Sequence, residues 1–366
     1  MSKLNIKRFV ELVQKSRLVP REQLRETLLG CKREHNDEIP RDPLKVAKYL
    51  VAARLLTRWQ CKKLLAGKYK GFYLGPYKLL EHIGTGGMSS VYLAEHNWLQ
   101  QPRAIKVFPR HRIGEASYLA RFEQEARATA SLNHPHIVRT YDFDAQGNTY
   151  YMVMEYVSGQ DLASLVEQDN QLEFEAIACY IAQAANGLHH AHNRGFIHRD
   201  VKPANLLVDE RGVAKILDMG LALVSGSSLT LTHQENVLGS ADYLAPEQAV
   251  NSHEVDRRAD IYGLGCTMYF ALTGHPPFTD GTVAQRIMKH QTMMPPDICD
   301  DRPDCPHRLA DICVRMVQKD PDERYQNCLE VTEILERWLA DQHDVPVSRS
   351  RFAAKSKLPA DGFSKG

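Results

Sequence analysis

The stretch His198-Arg199-Asp200-Val201-Lys202-Pro203-Ala204-Asn205 constrains this 366-residue chain more than any other. It places a carboxylate that can take a proton from a hydroxyl group and, five positions later, an amide that can help to hold a metal ion. The tripeptide His-Arg-Asp alone is weak evidence, because any given tripeptide occurs by chance in about 4% of chains of this length. The interpretation of the loop therefore depends on the motifs that accompany it.

A glycine-rich turn and a strand lysine lie upstream of this loop. The sequence Gly84-Thr85-Gly86-Gly87-Met88-Ser89-Ser90-Val91 follows a predicted strand over residues 77–83, and Ala104-Ile105-Lys106-Val107 comes at the distance of a following strand. Glycines allow such a hairpin to lie close over phosphate groups and to offer them backbone N–H groups. A lone Gly-x-Gly is usually an ordinary turn, but the lysine at this distance favours a phosphate-binding hairpin.

Further charged motifs follow the loop. Lys215-Ile216-Leu217-Asp218-Met219-Gly220 supplies a second carboxylate, and Gly239-Ser240-Ala241-Asp242-Tyr243-Leu244-Ala245-Pro246-Glu247 comes next. Asp260 heads an apolar helix, and Arg324 lies in the sequence Asp-Pro-Asp-Glu-Arg-Tyr. Because a buried charge needs a partner, we expect such residues to be paired in the fold.

Together and in this order, these motifs resemble those of the protein kinase family, and their wording is most similar to the bacterial, eukaryotic-like Ser/Thr kinases. The resemblance covers residues 77–340. It implies an α+β, bilobal protein-kinase fold, with a small β-rich N-lobe and hinge over residues 77–157 and a larger helical C-lobe over residues 158–340. It also implies a serine/threonine protein kinase that transfers the γ-phosphate of ATP to Ser or Thr of protein substrates, with Mg²⁺ or alternatively Mn²⁺ as the metal.

The resemblance also implies a role for each site residue. Asp200 would accept the proton of the attacking hydroxyl, and Lys202 would touch the transferring phosphate. Lys106 would reach the α- and β-phosphates and would be held by Glu125 rather than by Glu123, which we interpret as a solvated residue. The metal-binding residues would be Asn205 and Asp218. The nucleotide-binding residues would be Gly84, Thr85, Gly86, Gly87, Val91, Ala104, Lys106, Met154, Glu155, Val157 and Leu207.

Two structural pairings and two departures from the family pattern follow from the same resemblance. Asp260 resembles the buried carboxylate that fixes the backbone of the catalytic loop, and Arg324 resembles the partner of Glu247. Ser89 stands where the family usually has a third glycine, and Met219 stands where it usually has phenylalanine. Serine is small and methionine is a flexible apolar residue, so we expect the nucleotide and metal sites to be retained.

The segment over residues 222–236 is rich in Ser and Thr and poor in apolar residues, which is typical of a surface loop. We predict that phosphorylation of this segment at Thr230 or Thr232 switches the kinase on, because a phosphate there could form bidentate bonds to the Arg199 guanidinium. The less favoured candidates are Ser225, Ser227 and Ser228.

Composition argues against a membrane or secreted protein. Hydrophobic residues make up 43% of the chain, and no apolar run approaches the roughly 18 residues that cross a bilayer. We predict neither a transmembrane segment nor a signal peptide, and therefore a cytoplasmic protein. The eight cysteines form no Cys-x-x-Cys pair and are predicted to be free thiols. His189, His190 and His192, on a helix predicted over residues 174–193, have no accompanying carboxylate or Cys ligands, and we interpret them as packing and surface positions.

The front of the chain differs from the rest. Residues 1–76 carry 18 Lys and Arg against 7 Asp and Glu, although the net charge of the whole chain is +1. Apolar spacing and helix caps predict a basic module of four short helices over residues 1–70, with Asp42 as one N-cap and Thr57 and Gln60 as a capping box. We expect a linker over residues 71–76 and a disordered tail over residues 341–366.

Several alternatives remain open. The whole chain could be a pseudokinase scaffold or adaptor, although it retains all five chemical residues. The helical module could be a packing unit or a docking site for a partner protein. Binding of nucleic acid or an anionic membrane by the module is not expected, because its basic residues are interleaved with acids and no row of aromatic residues accompanies them. The sequence does not fix the oligomeric state.

Overall fold

The computed structural model describes residues 4–36, 38–86, 89–108, 129–169, 171–217, 241–251 and 255–343. Over these residues the chain forms a small helical module, then an antiparallel sheet, then a mostly helical lobe. The predicted α+β, bilobal arrangement with a preceding helical module is therefore confirmed.

The N-terminal module consists of the four predicted helices: α1 Ile6–Ser16, α2 Arg21–Glu34, α3 Pro43–Ala52 and α4 Arg58–Leu65. The predicted caps are present. The Asp42 side chain accepts a hydrogen bond from the Leu44 N–H at 3.0 Å, and Thr57 and Gln60 make both bonds of a capping box. The helices share an apolar core that includes Phe9, Leu12, Val13, Leu24, Leu50 and Leu64.

The segment over residues 71–76, which we expected to be a linker, is part of the folded structure. Phe72 is 2% exposed and packs in the core of the helical module. The next residues form strand β1, Tyr73–Leu74, which pairs with the following strand. An apolar aromatic residue between polar neighbours was enough to anchor this segment, so the module joins the sheet without a free connection.

The N-lobe sheet contains β1 and five longer strands. These are β2 Tyr77–Gly86, β3 Ser89–His96, β4 Pro102–Val107, β5 Thr140–Gln146 and β6 Thr149–Glu155. The strand order is β1-β2-β3-β4-β6-β5, and every pairing is antiparallel. Because side chains alternate along a strand, Ala104 and Ile105 of β4 lie in different apolar clusters on opposite faces of the sheet.

The strands predicted over residues 137–142 and 150–156 are displaced from those observed. Strand β5 begins at Thr140, because the preceding residues make hydrogen bonds to the C-lobe instead. The Val138 N–H donates to the Ile216 carbonyl at 2.9 Å, and the Ile216 N–H donates to the His136 carbonyl at 2.9 Å. A run of strand-forming residues therefore divides between the two lobes and helps to join them.

Helix α4 is attached to the edge of this sheet by its own cap residues. The Thr57 hydroxyl donates to the Leu80 carbonyl at 2.5 Å, and the Gln60 amide nitrogen donates to the Leu79 carbonyl at 2.7 Å. The Gln60 side chain is buried. The same two side chains thus cap the helix and satisfy carbonyl groups of strand β2.

The C-lobe is built around two buried helices, α6 and α8. Helix α6 spans Phe174–His192, close to the prediction, and α8 spans Arg258–Thr273 with all residues from Ala259 to Leu272 buried. Three short strands lie beside them: β7 Gly159–Asp161, β8 Leu206–Asp209 and β9 Ala214–Ile216. The remaining helices are α5 Leu162–Asp169, α7 Pro246–Val250, α9 Val283–Thr292, α10 Ile298–Asp301, α11 His307–Met316 and α12 Cys328–His343.

The boundary predicted for the C-terminal tail is three residues early. Helix α12 continues through residues 341–343 and packs against α6, with Trp338 buried. The rest of the predicted tail, residues 344–366, lies outside the described residues. All eight cysteines are free thiols, as predicted. Among the helices that the structure describes, none combines the length and the apolar character needed to cross a bilayer.

The attachment of α4 to β2 predicts that Gln60 contributes more to stability than an ordinary capping residue. We expect Gln60→Leu to lower the free energy of unfolding by about 2 to 3 kcal/mol, because it leaves the buried Leu79 carbonyl without its donor. The matched control is Gln285→Leu, since Gln285 occupies the same position in the capping box of α9 but is exposed. Its loss should be about 0.5 kcal/mol. Equal losses in urea unfolding would show that the bond to β2 adds nothing.

Candidate active site

The backbone of the loop over residues 198–205 is held by one buried carboxylate, as predicted. Asp260, at the start of α8, accepts a hydrogen bond from the His198 N–H at 2.8 Å and another from the Arg199 N–H at 2.6 Å. Arg199 has a φ of +64°, in the left-handed region that non-glycine residues rarely occupy. The Asp260 bonds hold the loop in this unfavourable conformation, which turns the chain into Asp200.

His192 completes this anchor, and our interpretation of it as a packing or surface position was wrong. Its Nε2 lies 2.7 Å from Asp260 Oδ2, and the two side chains are 2% and 0% exposed. Burial alone would raise the pKa of the Asp260 carboxyl, but hydrogen bonds and positive charge from His192 and His198 hold that pKa below its ordinary value. The sequence signal was a histidine in the last turn of α6, but its partner lies 68 positions away.

Asp200 lies at the centre of a small polar group on the loop. Lys202 Nζ lies 2.8 Å and 3.1 Å from the two Asp200 carboxylate oxygens. The Asn205 amide nitrogen donates to the Asp200 carbonyl at 2.8 Å and to its carboxylate at 3.1 Å. The Asp200 side chain is 29% exposed, so its carboxylate is oriented by neighbours and still reachable by a ligand. The structure therefore brings the predicted residues Asp200, Lys202 and Asn205 together.

His198 links this group to the strand that leads to the predicted metal ligand. Its Nδ1 accepts a hydrogen bond from the Asp200 N–H at 3.2 Å, and its Nε2 donates to the Leu217 carbonyl at 2.8 Å. The Leu217 N–H in turn donates to the Asn205 carbonyl at 2.9 Å. Both backbone groups of Leu217 are thus bonded to the catalytic loop. Asp218 itself lies outside the described residues.

Five of the predicted nucleotide-binding residues gather around one apolar cluster below the sheet. Strand register places Val91 opposite Lys106, and Ala104 opposite Met154. The cluster also contains Met152, Phe108 and Val138, which sequence reasoning did not select. The predicted residues in it are Val91, Ala104, Met154, Val157 and Leu207.

The hinge makes one correction to the predicted backbone contacts. The Glu155 N–H donates to the Arg139 carbonyl at 2.8 Å. Of the two Glu155 backbone groups, the carbonyl is therefore the one that remains to meet a ligand. The Glu155 carboxylate forms an ion pair with Lys215 at 2.8 Å, which joins the hinge to strand β9.

The glycine-rich hairpin is formed by the ends of β2 and β3. Gly84 pairs with Val91, Thr85 with Ser90, and Gly86 with Ser89. A register irregularity between His82 and Gly84 bends β2 just before this point. The predicted site residues that lie outside the described part of the chain are Gly87, Glu125, Asp218, Thr230 and Thr232.

The predicted pair of Glu247 and Arg324 is present. Two bonds of 2.7 Å and 2.8 Å join the guanidinium to the carboxylate, and the Arg324 side chain is fully buried. The next residue, Gln248, was not predicted to have a role, yet its amide nitrogen donates to the Arg199 carbonyl at 2.9 Å. Helix α7 is therefore fixed both to the C-lobe core and to the catalytic loop.

This fold and this arrangement define a two-lobed protein with an apolar slot and a glycine-rich hairpin above an oriented carboxylate. A family model described as "Protein kinase domain" matches residues 77–339. The chain belongs to the protein kinase family.

Curated relatives agree with this assignment. A probable serine/threonine-protein kinase of Clostridium acetobutylicum is 38% identical over 261 residues, which is 71% of this chain and 39% of the relative. The serine/threonine-protein kinase PrkC of Bacillus subtilis is 36% identical over 252 residues, which is 69% of this chain and 39% of the relative. The chain thus spans about two fifths of the length of these relatives.

A solved structure has the same fold. The crystal structure of the Mycobacterium tuberculosis PknI kinase domain matches with a TM-score of 0.57 and 26% sequence identity, over 73% of this chain and 98% of that domain. The helical module over residues 4–70 precedes the region covered by the family model.

The Asp260 anchor predicts an acid-sensitive contribution to stability. The folded pKa is lowered, so the contribution is complete above the ordinary carboxyl pKa of about 4 and is lost as the pH falls below it. We expect Asp260→Asn to lower the free energy of unfolding by about 3 kcal/mol at pH 7, with the difference shrinking below about pH 4.

The control for this experiment is Asp280→Asn. Asp280 also forms an ion pair, with Lys289 at 2.6 Å, but its side chain is 80% exposed, so its loss should have little effect. A difference between wild type and Asp260→Asn that stays constant from pH 7 to pH 3 would contradict the assignment of Asp260 as a buried, ionised anchor.

Proposed function

We propose that this chain is a serine/threonine protein kinase that transfers the γ-phosphate of ATP to Ser or Thr of protein substrates. The observation that carries the proposal is the orientation of the Asp200 carboxylate by Lys202 and Asn205, on a loop whose backbone is fixed by Asp260. Phosphoryl transfer requires mainly positioning and charge neutralisation, and this arrangement supports both.

Asp200 acts as the group that orients the substrate hydroxyl and accepts its proton. Two side chains bond the carboxylate, so its position is set before a substrate arrives. Lys202 is held within 3.1 Å of both carboxylate oxygens, and its ammonium group neutralises charge on the phosphate during transfer. The pairing keeps Asp200 ionised and keeps Lys202 at the point where charge develops.

The adenine ring occupies the apolar slot lined by Ala104 and Met154. The Glu155 carbonyl and the Val157 backbone bind its polar edge, and the glycine-rich hairpin covers the phosphates. Lys106, on β4 opposite Val91, reaches the phosphates with Glu125 as its partner. The slot fits a flat, largely apolar ring, since its described walls are apolar side chains from both lobes.

Asn205 and Asp218 hold Mg²⁺. The fit is chemical: the Asn205 amide nitrogen is bonded to Asp200, so its oxygen is the atom for a hard cation that prefers oxygen ligands. When bound, the ion neutralises phosphate charge and orients the phosphate chain. Mn²⁺ is an alternative with the same ligand preference.

The catalytic role of Asp200 predicts a large loss on its conversion to an amide. We expect Asp200→Asn to lower the rate of Mg²⁺-dependent phosphate transfer from radiolabelled ATP to a basic protein substrate by about 100- to 10,000-fold. The control is Asp142→Asn, at an exposed position of β5, which should retain wild-type activity. If wild type and Asp200→Asn both bind nucleotide and are equally inactive with Mg²⁺ and Mn²⁺, the pseudokinase scaffold is the better reading.

We also propose that the kinase activates itself by phosphorylation at Thr230 or Thr232, with Arg199 as the residue that binds the phosphate. The Arg199 backbone is bonded to both Asp260 and Gln248, so a contact to its side chain would act on the catalytic loop and on α7 together.

This regulation predicts phosphate on Thr230 or Thr232 after incubation with Mg²⁺ and ATP, detected by mass spectrometry. The double variant Thr230→Ala/Thr232→Ala should lose at least about tenfold in activity, and the matched variant Ser225→Ala/Ser227→Ala should lose little. Full activity in an unphosphorylated Thr230→Ala/Thr232→Ala protein would place the switch elsewhere.

A further inference from the structure

The helical module lies against the outer face of the N-lobe sheet, on the side opposite the nucleotide slot. Trp59 of α4 packs with Leu79, Ile105 and Tyr151 in the apolar cluster of that outer face. Ala104 and Met154 of the slot belong to the cluster on the other face. Module residues in that outer cluster can therefore influence the slot through the position of the strands between them.

Strand β2 depends on the module for its edge. Its only strand neighbour on that side is the two-residue strand β1 within the described sheet. Beyond it, the Leu79 carbonyl is bonded by Gln60 and the Leu80 carbonyl by Thr57. These bonds fall at the register irregularity between Leu79 and Glu81. Helix α4 thus takes the place of a neighbouring strand just before β2 enters the glycine-rich hairpin.

A row of ring contacts runs from the module to that hairpin. The centroids of the Trp59 and Tyr92 rings are 5.7 Å apart at 64°, and those of Tyr92 and His82 are 5.0 Å apart at 67°. His82 Nε2 then lies 3.1 Å from the Thr85 hydroxyl. Both ring pairs have edge-to-face geometry, which is worth more than area burial alone. The row ends on a residue of the phosphate-covering turn.

The first ring of the row is itself fixed in place. Trp59 makes an edge contact with Phe72 at 5.8 Å between centroids. The Lys63 ammonium lies 5.5 Å from the centre of the Trp59 ring, one helical turn along α4. Because Phe72 is buried in the module core, the indole is anchored in the module and contacts the sheet on its other side.

We propose that Trp59, Tyr92 and His82 are positioning residues through which the helical module fixes the glycine-rich hairpin over the nucleotide phosphates and so sets nucleotide affinity. The inference rests on the proposed kinase function. None of the three residues belongs to the nucleotide-face cluster, so their effect falls on the closed conformation of the hairpin. Loss of the row should weaken nucleotide binding and leave peptide binding unchanged.

The experiment compares variants of the full chain by two readouts: the Kd for Mg²⁺·ADP with a fluorescent analogue, and the kcat and KM values for ATP and a peptide. We expect Tyr92→Leu and His82→Leu to raise the Kd for Mg²⁺·ADP and the KM for ATP by about three- to tenfold. The kcat and the KM for peptide should stay within about twofold of wild type. Tyr92→Phe keeps the ring and should behave like wild type.

The matched control is Trp98→Leu. Trp98 lies at the opposite end of β3, in the turn to β4, and is 87% exposed. Trp59→Leu tests the module end of the row, and its thermal unfolding shows whether the module is still folded. If it is not, His82→Leu gives the answer, because His82 lies on β2 outside the module core.

The inference is overturned if Tyr92→Leu and His82→Leu leave the Kd and the KM for ATP within about twofold of wild type, or if Trp98→Leu or Tyr92→Phe weakens binding as much. It is also overturned if kcat or the peptide KM changes as strongly as the KM for ATP. A wild-type chain that neither binds Mg²⁺·ADP nor transfers phosphate removes the proposed function. Wild-type binding with unaltered variants removes only this inference.

Discussion

The Asp260 carboxylate has no exposure to solvent and accepts hydrogen bonds from His192, His198 and Arg199. An ionised carboxylate can be buried only when its hydrogen-bonding capacity is satisfied, and removal of one partner leaves an uncompensated charge. The three donors meet this requirement and, in doing so, fix the end of α6 and two successive loop residues against α8. The left-handed conformation of Arg199 depends on those bonds, and the direction of Asp200 depends on that conformation.

Other parts of the site are connected to the same loop. His198 and Asn205 bond the two backbone groups of Leu217, and Gln248 bonds the Arg199 carbonyl. Glu247, adjacent to Gln248, is held by the buried Arg324. The described residues on both sides of the segment over residues 218–240 are therefore fixed to one polar framework. A change of charge within that segment would act on groups whose positions are already coupled.

Sequence reasoning succeeded where the signal was local. The capping residues Asp42 and Thr57 and the alternation of β4 depend on residues close in the chain, and the structure contains them as predicted. The role of His192 was missed because its partner is far away in sequence. The start of β5 and the folded segment 71–76 were missed for a related reason: residues with strand or linker character were recruited by Ile216 and by the module core. The grouping of Asp200, Lys202 and Asn205 was predictable from resemblance, but the bonds that orient them were not.

The central claim is that Asp260 supports phosphate transfer by positioning Asp200 through the loop backbone. A double-mutant cycle on kcat tests it most directly, with the single variants Asp260→Asn and Asp200→Asn and the double variant measured under single-turnover conditions. If Asp260 acts through Asp200, Asp260→Asn should lower kcat by at least about tenfold in the wild-type background and by less than about twofold when Asp200 is already Asn. An equal loss in both backgrounds would contradict the account, because the two residues would then contribute independently.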